Sequence, residues 1–229
     1  MTDGSILRPS LAADPRLVAG FTTRDFSPAE AGQDAARARL AEVTGLPVAS
    51  AGQVHGKAVA VVDGPGHVPA HDGLVTATPG LVLSVVAADC ALVLLADAEA
   101  GVVGACHSGW RGTVAGVLGE TIAAMAALGA APARMRAYLG PCISTEAFEV
   151  GEEVAAAFRD AVVARRPEWP RPHVDLKAEL GRQLASAGVG DIETAGGCTV
   201  RDGDRFFSYR AENGTPGRML GFVGLRTGG

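Results

Sequence analysis

Val102-Val103-Gly104-Ala105-Cys106-His107-Ser108-Gly109-Trp110-Arg111-Gly112 reads as an apolar strand running into a glycine-rich turn, with an amphipathic helix behind it from about Thr113 to Leu128. Side chains alternate along a strand, so Cys106 and His107 point to opposite faces and only one can serve a given site. Upstream, the apolar run Leu81 to Ala87 ends on Ala88-Asp89-Cys90, and Gln53-Val54-His55-Gly56 precedes another run, Ala58 to Val62. If these strand ends converge, His55, Cys90 and His107 offer one thiolate and two imidazoles. Three such ligands beside an open position make the usual catalytic zinc arrangement.

Outward from that stretch, runs of strands are broken by single helices. Strands are expected at Leu17–Thr23, Val59–Asp63, Gly73–Thr76, Leu81–Ala87, Ala91–Asp97, Val102–His107, Met135–Leu139, Ile192–Thr194, Phe206–Ser208 and Met219–Gly224. Helices are expected at Pro28–Val43, Gly151 to about Arg165, and Asp175–Ala187, the last with Asp175 as N-cap. Ala91-Leu92-Val93-Leu94-Leu95-Ala96 is nearly continuous in apolar residues, as in a strand buried on both faces. This order predicts an α+β fold with mixed sheets, not strict doubly wound alternation. No internal repeat or linker divides residues 1–229, so a single domain is expected.

The chain has 229 residues, 48% hydrophobic and 20% charged, which suits a globular protein with a substantial core. A net charge of -5 argues against a general nucleic-acid binder, which shows a basic face. No 18-residue apolar run points to a membrane helix. The N-terminal residues lack the pattern of a secretory signal, so a cytoplasmic location and reduced thiols are expected. Cys90, Cys106, Cys142 and Cys198 lack CxxC spacing. Buried free thiols account well for Cys106 and Cys198.

Several residues have both a chemical and a plain structural reading. Arg111, beside the glycines of a helix start, suits phosphate or carboxylate, or is a solvated surface charge. Asp89 either fixes the tautomer of a ligating imidazole or caps a turn. Asp72, in Asp72-Gly73, is a carboxylate behind a ligand, a general base or a turn residue. Cys142 is a candidate site thiol after Gly140-Pro141. Arg210 and Arg201, around Phe206-Phe207, suit an anionic or stacked ligand. His67 and His71 fall in a Pro/Gly-rich loop and read as surface residues. No P-loop, G-x-S-x-G elbow or dinucleotide fingerprint is present.

Taken together, Gln53-Val54-His55-Gly56, Ala88-Asp89-Cys90, His107-Ser108-Gly109-Trp110-Arg111-Gly112, Leu139-Gly140-Pro141, Cys198-Thr199 and Phe206-Phe207-Ser208-Tyr209-Arg210 resemble a family called laccase-domain, polyphenol oxidase-like or YfiH-like, now classed as purine nucleoside phosphorylases. The resemblance implies a four-layer α/β/β/α sandwich and zinc on His55, Cys90 and His107, with copper as a substitute. It implies adenosine deamination and phosphorolysis of adenosine, inosine and S-methyl-5′-thioadenosine. The candidate residues are Arg111, Asp89 and Cys142 for catalysis and Gln53, Arg24, Asp72 and Arg210 for substrate contact. The partners expected are purine nucleosides and phosphate, with no nucleic acid or membrane, and a monomer. The chain departs from the family pattern at Ser108, at Phe148 in place of tyrosine, and at Pro216-Gly217-Arg218.

Five histidines are too few for a four-copper oxidase, although two His and one Cys also suit a single blue-copper site. Two alternatives stand beside the nucleoside enzyme. One is an amidohydrolase that edits peptidoglycan precursors; the other is a copper-binding oxidoreductase or a non-catalytic zinc protein.

Overall fold

The computed structural model describes residues 4–26, 32–214 and 217–227. The first half carries β1 (Ile6–Leu7), β2 (Leu17–Thr22), α1 (Gly32–Thr44), β3 (Val48–Gly52), β4 (Val59–Val61), β5 (Gly66–Pro69), β6 (Gly73–Thr76), β7 (Val82–Ala87), β8 (Ala91–Asp97) and β9 (Val102–Ser108). The second half carries α2 (Trp110–Ala115), α3 (Val117–Ala127), β10 (Arg136–Leu139), α4 (Glu152–Ala155), β11 (Val163–Ala164), β12 (His173–Val174), α5 (Leu176–Ser186), β13 (Asp191–Thr194) and β14 (Met219–Leu225).

Two six-stranded mixed sheets form, in the orders β1-β2-β14-β7-β3-β5 and β13-β10-β8-β9-β6-β4. The period of two along β8 explains why they stack. Leu92, Leu94 and Ala96 join the core between the sheets, while Ala91, Val93 and Leu95 join a second core with Val117, Ile122, Met125 and Leu180 from α3 and α5. Both faces of β8 are therefore apolar. On the far side, Ala36 and Leu40 of α1 pack on Val18, Val82, Leu220 and Phe222 of the first sheet. The result is one α+β domain layered helix, sheet, sheet, helix. Each fully buried leucine of β8 contributes roughly 1.5–3 kcal/mol by removal from water.

Several expectations shift. The helix expected from Thr113 is split at Gly116, whose φ of 90° belongs to the left-handed region that glycine adopts without penalty. The helix expected from Gly151 to Arg165 is only the four residues of α4, followed by a 3-10 turn and β11. Val154, Ala155, Phe158 and Val162 turn inward onto Phe148, Val174 and Leu176, and this packing overrides helix propensity. Phe206–Ser208 is not a strand; both phenylalanines plug the core instead. The supposed loop around His67 contains β5, paired in parallel with β3. The expected helix start at Pro28 lies outside the described residues.

Candidate metal centre and its cavity

Three strand ends meet at one point. His55 follows β3, Cys90 sits between β7 and β8, and His107 is the penultimate residue of β9. One ligand atom from each lies within 4.8 Å of the others. The two imidazoles meet edge to face, with centroids 4.8 Å apart. Cys106, one residue from His107, turns into the helix-side core as strand alternation predicts, and burial pushes its thiol up to about 12.

Asp72 builds the cluster from behind. Fully buried, it accepts from His107 Nδ1 at 2.9 Å and from the backbone N–H groups of Val54, His55 and Gly56 at 3.1, 3.0 and 2.7 Å. The first bond places the His107 proton on Nδ1 and leaves Nε2 to ligate. The other three hold His55 at a φ of 60°, a conformation that L-residues with a side chain adopt only under constraint. Burial raises the Asp72 pKa, but His107 and these N–H donors outweigh it and leave it lowered.

Charge within the cluster follows the same balance. Burial pushes the Cys90 thiol up, yet hydrogen bonds from His107 and His55 bring it down to about 6. Burial pulls His107 down, while Asp72 and Cys90 raise it to about 9. Thiolate character at Cys90 is what metal ligation requires. Gly109 leaves the cluster room: a Cβ there would sit 2.7 Å from Cys90 Sγ and 3.2 Å from His55 Cδ2. The donor set, the oriented imidazole and this clearance fit a divalent transition metal.

The cluster opens on a cavity of about 620 Å³, a size typical of small-molecule sites. One side is apolar: Trp110, Ile143, Phe148 and Leu176 belong to a single packed cluster. Gln53, Gln33, His67 and Arg218 supply polar groups on the side of the first sheet, and Tyr209 and Arg210 also line it.

The remaining sequence candidates divide. Gln53 lines the cavity, and its amide also exchanges two 2.7 Å hydrogen bonds with the backbone of Val86, tying the end of β3 to β7. Asp89 also lines it, with a φ of 89°; its oxygens accept from Thr199 Oγ1 at 2.6 Å and Arg210 N at 2.7 Å, so it anchors the turn that presents Cys90. Arg210 lines it while donating to the carbonyls of Ala147 and Glu149.

Four candidates expected in catalysis or substrate contact do not line the cavity. Asp72 spends both oxygens behind the cluster. Cys142 is fully buried in the helix-side core, its thiol pushed up to about 12 by burial. Arg24 binds Phe206 O and Glu212 and stacks on Phe207. Arg111 is exposed, with its guanidinium 4.3 Å from the Trp110 ring centroid.

Sequence reasoning missed His67, Gln33, Ile143 and Leu176 as cavity residues. The parallel pairing of β5 with β3 brings His67 there, and no local motif announces it.

Known proteins resemble this chain over most of its length. A family model described as multi-copper polyphenol oxidoreductase laccase matches residues 19–226. A Streptomyces griseus protein named purine nucleoside phosphorylase ORF3 is 48% identical over 179 residues, 76% of this chain and 72% of that protein. A Deinococcus radiodurans purine nucleoside phosphorylase is 45% identical over 197 residues, 82% of this chain and 76% of its own length. The crystal structure of YlmD from Geobacillus stearothermophilus superposes with a TM-score of 0.87 at 30% identity, covering 97% of each chain.

Proposed function

This chain belongs to the multi-copper polyphenol oxidoreductase laccase family, and on that premise we propose that it is a zinc-dependent purine nucleoside phosphorylase that also deaminates adenosine. The observation that carries the reading is the His55–Cys90–His107 cluster at the wall of a cavity with one aromatic side and one polar side. Relatives at 48% and 45% identity bear the phosphorylase name, which supports the same chemistry here.

The family description favours copper, but ligand supply argues against multi-copper chemistry. Among the described residues one His/Cys/Asp/Glu group of three gathers as a metal site. Of the other histidines, His71 bonds Pro69 O, His173 bonds Thr145 O and His67 pairs with Ser50. One thiolate and two imidazoles beside a substrate-sized cavity suit zinc.

A zinc ion held by His55, Cys90 and His107 would supply Lewis-acid polarisation at that end of the cavity. The chain's own residues do the rest. Trp110 and Phe148 offer aromatic faces for a purine, and with Ile143 and Leu176 they keep water from that side. Arg111 lies against the Trp110 ring, its guanidinium 4.3 Å from the centroid. Asp72 holds the Nδ1 proton of His107, and Asp89 fixes the turn before Cys90 and the backbone of Arg210.

In phosphorolysis an oxygen of hydrogen phosphate bonds to C1′ as the C1′–N9 bond breaks; the bonding pair leaves with the base, which takes up the proton the phosphate gives up, and the products are ribose 1-phosphate and free purine. S-methyl-5′-thioadenosine fits the same reading, its methylthio group suiting the apolar side. In deamination water replaces the C6 amine and ammonia leaves. The test is incubation of the zinc-loaded protein with adenosine, with and without inorganic phosphate, followed by product identification. Adenine with ribose 1-phosphate appearing only with phosphate, and inosine in either case, is the expected result. Adenosine, inosine and S-methyl-5′-thioadenosine all left untouched would overturn it and turn attention to the precursor-editing amidohydrolase.

A further inference from the structure

His67 is a built feature of the cavity that the metal cluster does not use. It stands on β5 opposite Ser50 of β3, and its Nδ1 lies 3.3 Å from Ser50 Oγ. The ring lies across Gly52: a Cβ on that glycine would meet His67 Nε2 at 2.8 Å and Cε1 at 3.1 Å. His67 is exposed and lines the cavity, with a bare glycine beneath the ring and a hydroxyl beside it. Ser50 is buried, so its hydroxyl is shielded from competing water. If that hydroxyl donates to Nδ1, Nε2 carries the proton and becomes a donor toward the cavity.

The same side of the cavity carries Arg218, just before β14, and Gln33 of α1. An imidazole, a guanidinium and a carboxamide share a wall on which, among the described residues, no carboxylate lies; Asp89 is the one acidic residue among those described that line the cavity, and its two oxygens accept from Thr199 and Arg210. Such a donor-rich wall suits a tetrahedral oxyanion. The spacing also fits. His67 is level with Ser50, and five residues of chain lead from there to His55, at most roughly 16 Å at the rise of an extended strand. An anion at His67 and a base at the metal cluster can therefore belong to one bound substrate pair.

We propose that His67 and Arg218 form the phosphate subsite of this cavity, with Ser50 setting the His67 tautomer. The inference deepens the phosphorylase reading and rests on it for the identity of the ligand. The phosphate is either free inorganic phosphate or the 5′-phosphate of a nucleotide, and both present the same oxygens.

Titration calorimetry on the zinc-loaded protein separates the sources, using inorganic phosphate in one arm and adenosine against adenosine 5′-monophosphate in the other. The expected result is that His67→Ala and Arg218→Gln each weaken phosphate binding at least tenfold. Ser50→Ala should weaken it less, and His67→Gln, which keeps an N–H donor, should recover part of it. Arg16→Gln, a surface arginine paired with Asp14, is the charge control and should bind as the parent does. Zinc content should be unchanged throughout, and in turnover the KM for phosphate should rise while the KM for the nucleoside moves less than twofold. A 5′-phosphate source would appear instead as a preference for the monophosphate that both variants abolish. Phosphate affinity unchanged in both variants, or no affinity for either phosphate in the parent, overturns the proposal. Phosphate binding lost in the variants from a parent that makes no ribose 1-phosphate would sink the phosphorylase reading and leave the subsite standing.

Discussion

Gly109→Ala isolates the metal cluster from the fold. The backbone at Gly109 has φ −69° and ψ 172°, which alanine adopts without strain. Restriction of the unfolded chain favours alanine by about 0.4–1 kcal/mol, which the loss of glycine at the N-cap of α2 offsets. The added Cβ, however, would stand 2.7 Å from Cys90 Sγ, 3.2 Å from His55 Cδ2 and 3.7 Å from Cys90 Cβ. Sulfur and carbon prefer a separation of about 3.5–4 Å, so the thiol must retreat by about 1 Å, and His55 must also shift. A retreat of that size exceeds the ~0.2 Å tolerance of a metal–ligand bond. We expect zinc affinity to fall about 100-fold or more, equivalent to about 2.7 kcal/mol. The metal-free variant should still fold cooperatively, with a denaturant midpoint at or somewhat below the parent's. Zinc affinity by chelator competition and urea unfolding in chelator are the two assays. Parent-like zinc affinity in a folded Gly109→Ala protein would refute the clearance argument, and with it the position of the cluster.

Cys90→Ala should lose zinc, whereas Cys106→Ala, whose side chain lies in the helix-side core, should keep full stoichiometry by metal analysis. Asp72→Asn should lower zinc affinity about 10–100-fold, because the amide NH2 must face donors whichever way it turns, either His107 Nδ1 and His55 N or Val54 N and Gly56 N; parent-like affinity would argue against the orienting role. Asp97 is buried and accepts from the N–H groups of Glu99, Ala100 and Ala131 and from Arg134; burial raises its pKa, but these partners outweigh it and lower it. Its folded pKa is thus below the unfolded value near 3.9, so its stabilisation is complete above about pH 4–5 and is lost as pH falls through the folded pKa. Thermal unfolding of Asp97→Asn should show a lower midpoint at neutral pH and a shallower decline in acid than the parent.

The fold was legible where hydrophobic pattern and burial agree. β8 is apolar on both faces because it lies between two cores, and that doubling announces a central strand without any tertiary knowledge. Failure came at residues 151–165, where a helical pattern of apolar residues is drawn into a satellite core around Phe148 and Val174. Periodicity records which residues are buried, not which partner buries them. At the site, Cys106 and His107 were separable because alternation sorts strand neighbours to opposite faces. Asp72 was ambiguous because Asp-Gly is turn chemistry, and only the fold brings His107 and the 54–56 backbone onto its two oxygens. Arg111 drew attention through its glycine neighbours, yet its guanidinium lies over Trp110 instead of in the cavity. His67 carried no signal at all, since its place depends on a parallel pairing between strands separated by β4.

One zinc on His55, Cys90 and His107 is expected to serve phosphorolysis in the adjoining cavity. The direct measurement follows ribose 1-phosphate formation from inosine and phosphate as the protein is stripped of metal, reloaded with zinc, and reloaded with copper. Activity should disappear on stripping and return in proportion to zinc bound, reaching its plateau at one zinc per chain. Copper should bind without restoring it, and Cys90→Ala should stay inactive in every state. Full phosphorolysis by the stripped protein, or by Cys90→Ala, would contradict the account.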